Sequence, residues 1–347
     1  MTIIEKLKES GLVGRGGACY PTWKKWETVK KAKGKEKYVV CNAAEGEPGV
    51  KKDGYVIAKY PEKMIDGMNI AIKYINATKG VIYLNSSYYK KYGQKLKKLT
   101  KDTKIEIFKK PHNAGYIGGA ETAALNTIEG GRTEPRLRPP FPTVSGLYKQ
   151  PTIINNVETF YDASLIASGE YKKERLYTIS GDCLWSGVYL FPENWTIERI
   201  LKETKNFPDF DFFVQVGGDG SGEVLNQKQL KRQAVGAGSL TIYSMLKHDP
   251  LDLLKSWVDF FFNESCGKCT PCREGVFRLR EILYDPLPKW DLAGALIDNL
   301  ADTAFCGLGC AVPIPLRSFT KNVLPLYPEN NIKLSPETKQ IICECFN

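Results

Sequence analysis

The stretch that decides the fold reads KYVVCNAAEGEPGVKKD and runs from Lys37 to Asp53. It starts with a short apolar run and continues into a loop of glycine, acidic and amide residues. Similar apolar runs follow as GVIYLN, from Gly80 to Asn85, and KIEIF, from Lys104 to Phe108. Short apolar runs bounded by turn residues are typical of buried strands.

Helical patterns separate these runs. The segment from Pro61 to Ile75 and the lysine-rich segment from Ser86 to Leu99 both repeat their apolar residues with a helical period. Strand–helix–strand alternation at this spacing predicts a parallel sheet with helices on its faces. Loops that follow such strands are where α/β sheets bind ligands.

The character of the sequence changes twice further along. A proline-rich stretch, EPRLRPPFP, from Glu134 to Pro142 breaks the alternation. Short β-like runs between Arg175 and Ser244 then predict a small mixed-β region, and the patterns from Asp249 onward are helical. We therefore expect three domains, covering residues 1–170, 171–247 and 248–347.

Composition restricts the class of protein. The 347 residues include 49 Lys and Arg and 39 Asp and Glu, which gives a net charge of +10. The lysines are interspersed with acids and apolar residues, which favours an acidic protein partner or plain solubility over nucleic acid. No apolar stretch is long enough to span a bilayer, and the first residues, MTIIEKLKES, lack a signal-peptide core. We therefore expect a cytoplasmic protein.

The cysteines carry the strongest chemical signal. ESCGKCTPCREG places Cys266, Cys269 and Cys272 three residues apart, and Cys306 follows in DTAFCGLG, with Cys310 as a competing ligand. Three closely spaced thiolates and one distant cysteine are typical of a [4Fe–4S] cluster. The alternative metal, zinc, usually takes two separated C-x₂-C pairs. The other five are expected to be ordinary small apolar side chains: Cys19, Cys41, Cys183, Cys343 and Cys345.

Three loops are candidates for binding a phosphate or a flat ring. GLVGRGGACYPTWKKW, from Gly11 to Trp26, follows a helical pattern, so it lacks the strand context of a Rossmann fingerprint, and a tight turn is an equal alternative. The loop from Asn42 to Asp53 follows a predicted strand directly. YIGGAETAALNTIEGG, from Tyr116 to Gly131, precedes a helix whose N-terminus can bind an anion. Asn155 and Asn156 offer further amide groups before a helical segment.

In chain order, the motifs resemble those of a family that comprises the NADH-binding flavoprotein of respiratory complex I and the related diaphorase subunits of NAD-linked hydrogenases and formate dehydrogenases. They are GLVGRGGACYPTWKKW, NAAEGEPG, YIGGAETAALN, EPRLRPPFP, NNVETF, ESCGKCTPCREG and CGLG. The resemblance implies an α/β fold: a Rossmann-like flavin/NAD domain, a β-grasp (SLBB-like) domain and a C-terminal helical bundle that carries the cluster. The implied cofactors are FMN, a [4Fe–4S] cluster and NAD(H). The implied activity is that of an NADH:acceptor oxidoreductase (diaphorase), with NAD⁺ reduction as the reverse direction.

The resemblance also implies roles for individual residues. The implied cluster ligands are Cys266, Cys269, Cys272 and Cys306, which selects Cys306 over Cys310. Glu45 and Glu121 are implied as catalytic residues that orient the carboxamide or a bound water. The implied cofactor-binding residues are Gly14, Arg15, Gly16, Gly17, Tyr20, Lys25, Asn42, Glu45, Gly46, Glu47, Tyr116, Gly118, Glu121, Arg138, Phe141, Asn155 and Asn156.

Three positions depart from the family pattern. Ala44 replaces an aspartate, Ala120 replaces a glutamate, and Thr28 replaces an aromatic residue. Each lost hydrogen bond to a ligand costs about 1–3 kcal/mol. Two alternatives therefore stay open: a non-catalytic relay or scaffold protein that keeps the cluster but has lost the nucleotide site, and a flavoprotein that prefers NADPH.

The resemblance finally implies partners. We expect a [2Fe–2S] thioredoxin-like or ferredoxin-like subunit, together with a catalytic redox subunit such as a hydrogenase or a formate dehydrogenase. We expect neither nucleic acid nor a direct membrane span.

Overall fold

The computed structural model describes residues 1–328 and 334–346 and divides the chain into two compact units. The first unit comprises Met1–Gly46 and Lys51–Leu176, and the second comprises Glu47–Val50 and Tyr177–Asn347. Each unit has its own sheet and its own apolar core. Among the described helices, none is long and apolar enough to cross a membrane.

The first unit is a four-stranded parallel sheet with helices around it. The strands are β1 (Tyr38–Ala43), β2 (Lys79–Leu84), β3 (Ile105–Lys109) and β4 (Thr152–Asn156), in the order β3-β2-β1-β4. The helices are α1 (Ile3–Ser10), α2 (Thr22–Lys31), α3 (Lys52–Lys59), α4 (Pro61–Ile75), α5 (Ser86–Leu99), α6 (Glu121–Ile128) and α7 (Val157–Ser168).

The predicted alternation in this unit is confirmed. β1 and β2 are buried along almost their whole length, which is why they read as continuous apolar runs. Helix α4 packs against α7 at Gly67, where an added Cβ would lie 1.9 Å from the carbonyl oxygen of Phe160. Strand β4 was not predicted; its last two residues, Asn155 and Asn156, were expected only to offer amide groups ahead of a helix.

The register of the sheet brings its polar ends together. Asn42 on β1 lies opposite Asn156 on β4 and opposite Tyr83 on β2. The loops that follow β1 and β4 therefore start at the same edge of the sheet, as the carboxyl ends of parallel strands do.

The second unit begins with a mixed sheet. Its strands are β5 (Glu174–Gly181, which belongs to this unit from Tyr177 onward), β6 (Gly187–Pro192), β7 (Phe212–Val216), β8 (Glu223–Asn226) and β9 (Ser239–Ser244), in the order β6-β5-β9-β7-β8. β5 and β9 are parallel, whereas β7 is antiparallel to β8 and β9. One helix, α8 (Ile197–Glu203), packs its buried residues into the core of this sheet. The predicted mixed-β region is therefore present.

The rest of the second unit is helical, as predicted. The helices are α9 (Pro250–Glu264), α10 (Thr270–Tyr284), α11 (Trp290–Thr303), α12 (Gly307–Ala311), α13 (Pro313–Asn322) and α14 (Pro336–Phe346). Helix α9 begins where the sequence indicated, because the Asp249 carboxylate caps the N–H groups of Leu251 and Asp252. The boundaries at residues 170/171 and 247/248 stay predictions.

Candidate functional site

The carboxyl edge of the parallel sheet gathers the loops that the sequence singled out. The Asn42 amide donates to the carbonyl oxygen of Gly119 at 2.7 Å. A Cβ added at Gly16 would lie 3.4 Å from the Asn156 side chain, and one added at Gly119 would lie 3.6 Å from Ala44. Three loops distant in sequence therefore meet where β1 and β4 end.

The glycine loop is closed at its base by a backbone hydrogen bond and exposes the backbone at its tip. The Gly14 N–H donates to the Tyr20 carbonyl oxygen at 2.9 Å, which closes the turn ahead of α2. Gly17 has a left-handed φ of 106°, and no atom lies within 4 Å of a Cβ added there. Gly16 and Gly17 are both exposed. Backbone of this kind can approach a phosphate or a ring closely.

The next loop packs tightly on the segment before α6. A Cβ added at Gly46 would lie 3.3 Å from the Tyr116 Cα and 3.7 Å from the Lys110 Nζ. One added at Gly118 would lie 3.0 Å from the Lys110 Cε. The structure thus brings the predicted residues Gly46, Tyr116 and Gly118 together around Lys110, a cation that sequence analysis missed.

Arg15 anchors the glycine loop from the inside. Its guanidinium Nε lies 3.1 Å from Asp162 Oδ2, and Nη2 donates to the Tyr171 hydroxyl at 2.9 Å. Its backbone N–H donates to Thr159 Oγ1 at 2.9 Å. The side chain is only 2% exposed and holds the loop against α7. A direct contact between Arg15 and the cofactor stays a prediction.

Lys25, Glu121 and Arg138, all predicted site residues, form one ionic cluster. The Lys25 ammonium lies 2.6 Å from Glu121 Oε1 and donates to the Ile154 carbonyl oxygen at 2.8 Å. The Arg138 Nη2 lies 3.6 Å from Glu121 Oε2. Glu121 at the start of α6 therefore faces two cations at the edge of the sheet.

A buried charge network, which sequence analysis did not foresee, lies at the same edge. The Lys52 ammonium lies 2.8 Å from Asp53 Oδ1 and 3.2 Å from Glu158 Oε2, and it donates to Asn156 Oδ1 at 2.7 Å. Burial acts to lower the pKa of Lys52, but the two carboxylates outweigh it, and the pKa lies above its ordinary value. The signal was the KKD run at the end of the predicted loop, whose last two residues in fact begin α3.

Glu45 is the predicted site residue whose protonation is most changed by its surroundings. Its carboxylate accepts hydrogen bonds from the N–H groups of Asp53 (2.7 Å) and Gly54 (3.0 Å) and from the Tyr88 hydroxyl. Burial raises the pKa of Glu45 to about 7, and the charge of Asp53 adds to the rise. Tyr88 reaches Glu45 because position 54 has no side chain: a Cβ there would lie 2.5 Å from the hydroxyl oxygen.

Other predicted site residues are spread more widely. Asn155 is buried and accepts from the Trp26 indole at 3.1 Å, because alternation along β4 turns it away from Asn156. Glu47 belongs to the second unit, where it accepts from the N–H groups of Gly220 and Ser221, each at 3.0 Å. Tyr20 and Phe141 are 43% and 54% exposed, which leaves them accessible for stacking.

Two of the three departures from the family pattern have local partners in this chain. Ala44 is buried in the apolar cluster that includes Tyr83 and Leu125. Ala120 is the residue before α6 and provides no side-chain cap. The Thr28 hydroxyl donates to the Lys24 carbonyl oxygen at 2.7 Å. The edge of the sheet therefore keeps its cations and amides but has fewer acids than the family pattern.

The four predicted cluster cysteines lie together in the second unit. Cys266 and Cys269 precede α10, Cys272 lies in its first turn, and Cys306 precedes α12. Burial raises the pKa of the Cys272 thiol to about 11, and the charges of the other three thiols add to the rise. Burial also raises the pKa of Cys306, and the N–H groups of Gly309 and Leu308 partly oppose the rise.

The order of these cysteines along the chain, three closely spaced and one distant, is typical of an iron–sulfur cluster. A [4Fe–4S] cluster takes one thiolate for each of its four irons. Gly267 has a left-handed φ of 71°, and Arg273 Nη1 donates to its carbonyl oxygen at 2.9 Å, which shapes the turn around the ligands.

The remaining cysteines differ among themselves. Cys310 is exposed, and its thiol donates to the Ala304 carbonyl oxygen at 3.3 Å. Cys41 is fully buried, as a small apolar side chain should be. Cys19 was expected to behave likewise, but it is exposed, because it lies on the glycine loop with a left-handed φ of 50°.

Comparison with known proteins supports both regions. Residues 7–164 match the family described as the Nuo51 FMN-binding domain, and residues 252–328 match the NADH-ubiquinone oxidoreductase-F iron-sulfur binding region. The chain is 33% identical to the F 2 subunit of NADH-quinone oxidoreductase from Rhizobium meliloti (strain 1021), over 92% of this chain and 86% of the relative. It is 32% identical to the HndC subunit of the NADP-reducing hydrogenase of Solidesulfovibrio fructosivorans, over 91% of this chain and 73% of the relative.

A solved structure extends the likeness to the fold. The chain superposes on the NAD⁺-reducing [NiFe]-hydrogenase in its H2-reduced state with a TM-score of 0.85 and 27% sequence identity. The match covers 96% of this chain but 63% of the hydrogenase chain, so this chain spans less than two thirds of that protein.

Proposed function

This chain belongs to the family of the NADH-quinone oxidoreductase F subunits, and from that premise we propose that it is the subunit through which electrons enter a multi-subunit oxidoreductase from NADH. Its cofactors are FMN in the first unit and a [4Fe–4S] cluster in the second. When bound, FMN accepts a hydride from NADH and releases electrons singly, and the cluster carries single electrons onward.

The observation that carries the proposal is the convergence of loops at the carboxyl edge of the parallel sheet. Exposed glycine backbone at Gly16 and Gly17, the amides of Asn42 and Asn156, and the Lys25 ammonium all reach that edge. This is the donor set that a flavin phosphate and a flavin ring require. The residues therefore fit FMN, although Ala44 and Ala120 remove two acids.

We assign three tasks to the residues of this edge. The glycine backbone and Lys25 bind phosphate groups, because both supply N–H donors and Lys25 also supplies positive charge. Asn42 orients the ring, since its amide is held by the Gly119 carbonyl. Tyr20 and Phe141 stack on the nucleotide and exclude water from it.

Glu45 and Glu121 have different tasks in this proposal. Glu45, with its pKa raised to about 7, can hold or release a proton near the reacting groups at neutral pH. Glu121 is ion-paired to Lys25 and Arg138 and so orients neighbouring groups. In the second unit, Cys266, Cys269, Cys272 and Cys306 would each ligate one iron.

An anaerobic NADH titration of protein reconstituted with FMN, iron and sulfide tests this function. We expect stoichiometric NADH to bleach the flavin absorbance and then the cluster absorbance. A reducible cluster with no retained flavin and no response to NADH would instead support the relay or scaffold alternative.

A second candidate is use of NADPH, which Ala44 and Ala120 favour. Removing two carboxylates leaves the edge less repulsive to the additional phosphate of NADPH. The similarity to a protein named for NADP reduction is consistent with this. Titrating the same protein with each nucleotide separates the two, and Ala120→Glu should shift any preference toward NADH by about tenfold.

The relatives named above are subunits of multi-subunit enzymes, and we propose the same setting for this chain. We propose a [2Fe–2S] thioredoxin-like or ferredoxin-like subunit as the next electron carrier, with a hydrogenase, a formate dehydrogenase or a similar redox enzyme beyond it. A cytoplasmic location also stays a prediction.

A further inference from the structure

One face of the first unit is unusually rich in lysine. Between Ser86 and Lys109 the chain has eight lysines and two acids, and all eight lysines are exposed. We call this set the lysine surface; it consists of Lys90, Lys91, Lys95, Lys97, Lys98, Lys101, Lys104 and Lys109. Helix α5 itself contains no acidic residue.

The lysines of α5 form two adjacent stripes. Lys91, Lys95 and Lys98 follow one another at helical spacings of four and three, and so share one side of the helix. Lys90 and Lys97 lie one position before Lys91 and Lys98 and so form a neighbouring stripe. Like charges so close together repel one another, and an opposite charge laid across them would relieve that cost.

The positive charge is concentrated in the first unit. That unit has 32 Lys and Arg and 17 Asp and Glu, whereas the second unit has 17 and 22. The net charges of the two units are therefore +15 and −5. The segment that carries the lysine surface, with its eight lysines and two acids, contributes +6 to the charge of the first unit, and solubility alone does not require such a concentration.

The lysine surface lacks the anchors of a permanent interface. The exposed large apolar side chains of the described residues include none between Ser86 and Lys109. Permanent interfaces are built around apolar cores, whereas transient electron-transfer complexes are small and are steered by charge. The composition of this surface therefore favours a partner that docks and leaves.

Nucleic acid fits the surface less well than protein does. Every cation on it is lysine, and no arginine is present to bind phosphates through bidentate hydrogen bonds. Tyr89 is half-buried, and the ammonium groups of Lys97 and Lys109 lie 5.4 and 5.8 Å from its ring centroid. The ring is thus covered by cations and is not presented to a base.

The lysine surface is continuous with the proposed flavin edge. Tyr88, in the first turn of α5, donates its hydroxyl to Glu45, which follows β1 at the carboxyl edge of the sheet. The 14 residues of α5 extend about 21 Å. A protein docked along the helix would therefore lie within one helix length of that edge.

We propose that the lysine surface docks a small acidic protein that carries one electron at a time, such as a ferredoxin. The inference rests on the proposed function. One NADH and two oxidised carriers give NAD⁺, one proton and two reduced carriers, and the reverse reaction reduces NAD⁺. The carrier exchanges electrons at the flavin edge and leaves before the second one docks.

The test uses the reconstituted full-length protein and an acidic [2Fe–2S] ferredoxin as the probe. The test variant is Lys91→Glu, Lys95→Glu and Lys98→Glu. The control variant is Lys33→Glu, Lys35→Glu and Lys172→Glu, which changes the charge of the same unit equally at three exposed lysines elsewhere. Calorimetric binding is measured at about 20 mM and about 200 mM salt, because exposed charges are screened strongly over this range.

We expect the wild-type protein and the control variant to bind the ferredoxin with similar affinity, and more weakly at the higher salt. The test variant should bind at least about tenfold more weakly. Its NADH-dependent rate of ferredoxin reduction should fall in proportion, while its rate with ferricyanide, a small acceptor, stays unchanged.

Three results would overturn the docking proposal: no ferredoxin binding by the wild type, equal losses in the two variants, or tighter binding of duplex DNA that only the test variant loses. Failure of the wild type to reduce ferricyanide with NADH would count against the proposed function instead. The calorimetric comparison would still decide the docking in that case.

Discussion

The Glu45 carboxylate accepts hydrogen bonds from two backbone N–H groups and a tyrosine hydroxyl. These bonds favour the charged form, and yet the pKa of Glu45 lies at about 7. Burial is the main cause, and the neighbouring Asp53 adds to it. The hydrogen bonds oppose the rise without cancelling it. A carboxyl group at this sheet edge thus acquires a proton affinity close to that of histidine in a chain with only two histidines.

This raised pKa makes the stability of the protein depend on pH. Folded Glu45 keeps a proton that the unfolded chain releases above the ordinary pKa of 4.5. Its contribution is therefore fully present below pH 4.5 and is lost as the pH rises through about 7, by about 3 kcal/mol at most. We expect Glu45→Gln to flatten the fall in the free energy of unfolding across this window, measured by urea denaturation.

Glu106→Gln serves as the control, because Glu106 is exposed and paired with Lys79 on the protein surface. It should leave the pH dependence as in the wild type. An unchanged slope in Glu45→Gln would mean that another group governs this pH range.

At the scale of elements, adding a side chain has opposite consequences at two glycines in neighbouring helices. Gly67 in α4 lies against the backbone of α7, where a Cβ would come within 1.9 Å of the Phe160 carbonyl oxygen. At Gly93 in α5, the three atoms nearest to an added Cβ belong to the Tyr89 ring and lie at 3.4–3.5 Å, which is an ordinary contact. The first glycine sets the distance between two helices, and the second does not.

We expect Gly67→Ala to lower the free energy of unfolding by more than about 2 kcal/mol, because the helices must separate. Gly93→Ala should raise it by up to about 1 kcal/mol through helix propensity. Thermal or urea denaturation of both variants measures the difference. Equal effects of the two substitutions would show that α4 and α7 have room to adjust.

Helix α12 separates two cysteines that the sequence alone leaves in competition. Cys306 precedes the helix, is half-buried and accepts hydrogen bonds from the N–H groups of Gly309 and Leu308. Cys310 lies one turn later and is exposed. We expect Cys306→Ala to lose most of the bound iron and the cluster absorbance, whereas Cys310→Ala keeps both. Iron and sulfide analysis of the purified variants measures this, and loss of iron in both would make Cys310 a ligand too.

For the whole molecule, the two proposed cofactor sites belong to different units. The flavin edge lies in the first unit, and the four cysteines lie in the second. Metal binding stabilises the part of a protein that supplies the ligands. Removing iron with a chelator should therefore speed amide hydrogen exchange in α10, α11 and α12 and leave β1, β2 and β4 unchanged. Faster exchange in the sheet strands would show that the cluster stabilises both units.

The elements that could be predicted from the sequence are those whose residue pattern is local. Helices α4 and α5 and strands β1 to β3 were predicted because burial on both faces, or on one helical side, leaves a clear periodicity. The cysteine spacing likewise predicted Cys266, Cys269 and Cys272 as cluster ligands, whereas the choice of Cys306 over Cys310 came from the resemblance to the family. The Lys52–Asp53–Glu158 network was missed, because it joins the start of α3 to α7 across about a hundred residues, and no local pattern records such a pairing.

The short segment Glu47–Val50 has a consequence for how this protein can be divided. It lies within the sequence of the first unit but belongs to the second. There the Glu47 carboxylate accepts hydrogen bonds from the N–H groups of Gly220 and Ser221. No single cut in the gene separates the two units intact, since a fragment starting at Tyr177 lacks this segment. Exchange of these units between relatives would therefore need two crossovers, or a graft that carries the four residues along.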